Sequence, residues 1–111
     1  MFFMFLGVCS SPRGPLELSD VSRTSIRLSW QPPSDDGGAP VSAYVIERRE
    51  VTTQRWVRCA RVKPTVTSYV VMNLTEGREY YFRVIAENVE GLGDSLLSEN
   101  PVQPKRLASK W

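Results

Sequence analysis

From Leu16 onward the apolar residues fall at alternate positions within short runs that end in proline, glycine or aspartate, a period of two that predicts β-strands. Leu16 and Leu18 open the first strand. Ile26, Leu28 and Trp30 alternate with Arg27 and Ser29, so one face of the second turns inward until Pro32 and Pro33 end it. The stretch Ser34 to Pro40, SDDGGAP, supplies the side-chain acceptors and positive φ values of a loop. Tyr44, Ile46 and Arg48 share one face of the third strand and Val45, Glu47 and Arg49 the other, the first being the predicted core side. Trp56 to Val62 makes a fourth run, and Tyr69 and Val71 alternate toward Leu74. Past Glu76-Gly77, Tyr80, Phe82, Val84 and Ala86 line one face while Tyr81, Arg83, Ile85 and Glu87 line the other. A glycine-containing turn is predicted at Asn88 to Gly93 and a last strand over Ser95 to Val102. Seven strands and no helical period predict an all-β sandwich.

The flanks break this pattern. Met1 to Cys9, MFFMFLGVC, is apolar and uncharged but much shorter than the 18 or so residues of a membrane-spanning helix. It reads as a translated leader or truncation scar, or as a signal peptide lacking its basic start. Ser10 to Pro15, SSPRGP, has linker composition. The expected organisation is therefore a disordered leader and linker at 1–14, one folded domain at 15–104, and a tail at 105–111. The 111-residue length fits one domain.

Composition removes several functions. There is no histidine, which takes away the usual general base and the commonest transition-metal ligand and argues against an enzyme. Cys9 and Cys59, fifty positions apart, form no zinc or redox motif and are expected to be free thiols. A net charge of +2 names no nucleic acid or membrane partner. Asp35 and Asp36 are too few oxygens for calcium, and Gly91 and Gly93 lack the third glycine and helix of a dinucleotide loop. No cofactor or metal site is expected. The sequon Asn73-Leu74-Thr75 matters only in a secreted protein, and no Arg-Gly-Asp is present.

Trp30 followed by Pro32-Pro33, the strand YVIERR, and LTEGREYYFRVIAEN with Leu74 six residues before Tyr80 together resemble the fibronectin type III family. The spacing Leu74-x-x-Gly77-x-x-Tyr80 is similar to the tyrosine corner of Greek-key sandwiches, which implies a buried, hydrogen-bonded Tyr80. The strings SDDGGAPVSAYVIERRE, RWVRCARV and GLGDSLLSENPV look like type III domains of the giant muscle proteins, those of the titin and myosin-binding protein C kind.

That resemblance implies a seven-stranded immunoglobulin-like Greek-key sandwich in a cytoplasmic sarcomeric scaffold. It implies mechanical spacing, thick-filament proteins and neighbouring immunoglobulin or type III domains as partners, and a monomer in isolation. The alternative, an extracellular receptor or adhesion module, rests on the apolar leader and the sequon. Trp30, Tyr44, Ile46, Leu74, Tyr80, Phe82 and Val84 are the expected structural core. Arg48, Arg49, Arg55, Arg58, Arg61 and Lys63 fall close together and form a candidate basic face for an acidic partner, although Glu47 and Glu50 dilute it and such runs often only solvate a surface.

Overall fold

A computed structural model describes residues 6–106. Seven strands build two antiparallel sheets. In the first, β2 (Ile26–Gln31) lies between β1 (Arg13–Ser19) and β5 (Ser68–Val71). In the second the order is β4 (Val57–Val62), β3 (Ala43–Glu50), β6 (Tyr80–Asn88), β7 (Gly91–Leu97). Connections cross repeatedly from one sheet to the other, because each sheet has one extended apolar face and must bury it against the other.

The layer between the sheets is filled by Leu16, Ile26, Leu28 and Trp30 from one side and by Tyr44, Ile46, Phe82, Val84 and Ala86 from the other. Val71, Leu74 and Tyr80 close it, so all seven expected core residues lie in this buried cluster. Trp30 meets Tyr44 edge-on, with ring centroids 5.5 Å apart at 64°, a geometry favoured by the ring quadrupoles. Among the described residues the indole N–H of Trp30 has no hydrogen-bond partner, so its burial is a packing device with a polar cost.

The connection from β5 to β6 is pinned by Tyr80, whose hydroxyl accepts the Thr75 N–H at 3.0 Å. Gly77, at φ +86°, supplies the left-handed residue that lets the chain double back beneath the ring. Val102 and Tyr80 then exchange backbone hydrogen bonds of 2.9 Å in both directions.

Three expectations need correction. The segment before Leu16 is not a linker where the structure describes it: β1 already begins at Arg13, and Cys9 and Pro12 are buried. Gly7 N–H donates to Gly37 O and Ser10 N–H to Asp35 O, each at 2.9 Å. The Asn88 side-chain amide donates to Gly7 O and Asp36 O, both at 2.8 Å. Such contact requires glycine, since a Cβ on Gly93 would stand 2.1 Å from the Cys9 carbonyl oxygen. Composition hid this docking because its partners are loops far along the chain; residues 1–5 and 107–111 lie outside the described residues.

The last strand runs over Gly91–Leu97, not Ser95 to Val102, because Gly91 at φ +121° permits a tight turn at Val89 and Glu90 and pairing resumes at once. Finally, the face of β3 and β6 expected to point to solvent is itself partly buried, with Val45 at 0% and Ile85 at 6% exposure. Val45 lies between two ion pairs, Arg83–Glu47 and Arg61–Glu87, whose aliphatic stems shield the surface beneath their charged heads.

Replacing Trp30 by Ala should cost about 3–5 kcal/mol, a large part of the roughly 5–15 kcal/mol available to such a domain, and lower the calorimetric melting temperature accordingly. Trp30→Phe should cost less, because it also removes the unpaired indole N–H. Tyr80→Phe should cost about 1–3 kcal/mol by orphaning the Thr75 N–H; unchanged denaturant midpoints would contradict these assignments.

Candidate functional site

The six cations of the candidate basic face do not share one face. Strand alternation sends Arg48 and Arg49 to opposite sides of the second sheet. Arg48 lies over the Tyr80 ring, 5.6 Å from its centroid, at the open side between the sheets. Arg49 stacks on the outer face against Tyr81 at 5.0 Å and Trp56 at 5.6 Å. Arg61 is taken up by Glu87 at 2.8 Å. Arg55, Arg58 and Lys63 are exposed and have no carboxylate partner among the described residues.

The outer face carries an arrangement that the spacing of cations alone did not suggest. Arg83 lies 4.2 Å from the Trp56 ring centroid, and its Nε and Nη2 reach one Glu47 carboxylate oxygen at 2.8 and 2.7 Å. Tyr81, Arg49, Trp56 and Arg83 therefore form a stack of alternating rings and guanidinium groups across β3, β6 and the approach to β4. Arginine suits such stacking because its planar, weakly hydrated cation packs on a ring while its edges still hydrogen-bond. The signal in the sequence was the outward alternation of Tyr81 and Arg83 opposite Arg49 and Glu47, with Trp56 just before the next strand.

On the other side of β4, Cys59 lines a cleft with Arg48, Val57, Arg58 and Tyr69. Both cysteines are free thiols. Burial pushes the Cys59 thiol up from 9.0 to about 11, with Glu47 adding to the shift and Arg48 opposing it. Cys9 is also raised, first by burial and then by Asp36 and Asp35. Among the described residues no three His, Cys, Asp or Glu side chains converge as metal ligands, and no helix is long and apolar enough to cross a membrane. The Asp35 and Asp36 carboxylates instead accept the N–H groups of Gly37 and Gly38 at 2.8 and 2.9 Å, holding their own loop.

Two facing antiparallel sheets, cross-connected and locked by a buried tyrosine at the β5–β6 corner, define the immunoglobulin-like class of Greek-key sandwiches. Residues 10–101 match the fibronectin type III domain family, and the chain belongs to it. Among curated relatives, the titin homolog of Caenorhabditis elegans is 41% identical over 88 residues, covering 78% of this chain and, to the nearest percent, 0% of that protein. Human myomesin-2 is 33% identical over 108 residues, covering 90% of this chain and 7% of that protein. Among solved structures, domains A168–A170 of titin superpose with a TM-score of 0.81 at 40% identity, over 89% of this chain and 33% of theirs. The chain thus spans a small fraction of the length of these relatives.

At pH 7.5 native Cys59 should react with a disulfide reagent far more slowly than a free thiol, its thiolate being depleted about 100-fold by the shift. The sign for stability follows from the raised value. The contribution of the protonated Cys59 is fully present below pH 9 and is lost as pH rises from 9 toward 11. Cys59→Ser should accordingly flatten part of the alkaline loss of stability measured by urea titration.

Proposed function

We propose that the chain serves as a non-catalytic structural and protein-binding module of a titin-like sarcomeric scaffold, setting mechanical spacing and offering a docking surface to filament proteins. The observation that carries this reading is the path of the chain through the sandwich. Residues 7–10 are tied to the loop before β3 and to the β6–β7 turn, at one end of the strands. Pro104 and Gln103 are tied to Gly77 at the opposite end, by bonds of 3.0 and 2.8 Å. Entry and exit at opposite ends load the strands along their length, the geometry of a unit joined in series. Muscle relatives of 33–41% identity support a cytoplasmic, sarcomeric setting.

In this reading the sheets close a hydrophobic layer, residues 7–10 and 103–104 are held to the sandwich by hydrogen bonds, and the cation-rich surface around β4 is left for partners. Exposed arginines there give modest energy and more selectivity and encounter rate, as surface charges do.

The whole chain should cosediment with purified thick filaments. The Arg55→Glu, Arg58→Glu, Arg61→Glu triple variant, checked for native circular dichroism, should lose about tenfold or more in affinity. Equal sedimentation of the two proteins would remove the docking role from these residues, and absence of sedimentation by both would remove the filament partner.

A further inference from the structure

The sheet orders leave the two sides of the sandwich unlike each other. β1 packs beside β7 on one side, while β4 and β5 stand at the other. Among the described residues β4 pairs only with β3 and β5 only with β2, so each presents a free edge. Between them lies a cleft of about 340 Å³, lined in part by Arg48, Arg58, Val57, Tyr69 and Met72. It continues past Arg48 and Val57 into a second depression of about 250 Å³ bordered by Arg55, Arg78 and Glu50.

The charge along this groove is one-sided. Four arginines, Arg48, Arg55, Arg58 and Arg78, face one carboxylate, that of Glu50, and Glu50 is already held by Arg78 at 3.3 Å. Arg48, Arg55 and Arg58 have no carboxylate partner among the described residues. Charges placed only to keep an edge strand from pairing would stand in solvent. Arg48 instead is partly buried over Tyr80, where an unpaired cation bears a desolvation cost that an incoming anion would offset. Beside the arginines, Val57 is 42% and Met72 65% exposed, an apolar pair at the mouth of a polar groove.

We propose that this cleft is the docking groove for an extended acidic segment of a partner protein. Its carboxylates meet Arg48 and Arg58, an apolar side chain covers Val57 and Met72, and its backbone runs along the free edge of β4. The proposal rests on the protein-binding reading above and narrows it to one side of the molecule and one partner chemistry.

The test uses the isotope-labelled whole chain, titrated with a soluble peptide of about ten residues alternating glutamate and valine, and with its lysine–valine counterpart. Only the acidic peptide should bind, with amide shifts concentrated in Val57–Val62 and Ser68–Val71 and an affinity that falls as salt is raised. Arg48→Gln with Arg58→Gln should weaken binding about tenfold or more, while Arg13→Gln, on β1, leaves it unchanged. Met72→Glu supplies a second arm that leaves the core untouched, since it sets a carboxylate at the exposed mouth and should weaken binding as strongly. Absence of binding, shifts centred on Trp56 and Tyr81, equal binding of the lysine peptide, or full affinity in Met72→Glu would each overturn the groove. If Met72→Glu still sediments with thick filaments like the parent chain, the groove fails as the filament contact while the scaffold reading stands. If the parent chain does not sediment but the peptide result holds, the reverse is true.

Discussion

Everything in this molecule depends on the need to bury one apolar face from each of two sheets in a single shared layer. Trp30, Tyr44, Phe82 and Ile26 are nearly or wholly excluded from water, and no strand could satisfy that alone, because a lone sheet leaves the same face wet. Strand alternation then dictates what is left for the outside. Each core residue on β3 or β6 forces its chain neighbour onto the outer face, and there Arg49, Tyr81 and Arg83 assemble with Trp56 into a stacked layer.

The outer layer is more than a solvated surface. It shields Val45 and Ile85, so the central strands β3 and β6 are covered on both sides. The Tyr80 corner does comparable work at one end and the Asn88 amide at the other. One fixes the crossover between sheets through Thr75, and the other fastens the entering chain to two loops. Residues 7–10 and 103–104 are thus fastened at opposite ends of the strands. On the open side between β4 and β5, Arg48, Arg55 and Arg58 stand together without a carboxylate partner among the described residues.

Much of this was legible in the residues. The alternation of Tyr80, Phe82 and Val84, the loop chemistry of SDDGGAP, and the Leu74–Gly77–Tyr80 spacing each carry a local physical reason, and local reasons survive folding. The grouping of Arg48, Arg49, Arg55, Arg58, Arg61 and Lys63 was a weaker guide. Proximity along the chain says nothing of which side of a sheet a residue takes or which carboxylate it meets from another strand, and Glu87, 26 positions away, claims Arg61. The docked segment at 7–12 and the Trp56 stack were hidden for the same reason, since both are built from partners distant in sequence.

The sequence by itself determined the all-β class, the inward face of the central strands, the tyrosine corner and the lack of histidine chemistry, because these follow from periodicity, turn residues and composition. Only the tertiary structure decided that residues 7–15 belong to the fold, that the cations divide between two faces, and that two free edges enclose a basic cleft. Those outcomes come from contacts between residues tens of positions apart, whose pairing is set by the packing of one sheet on the other and by register, which no local pattern encodes.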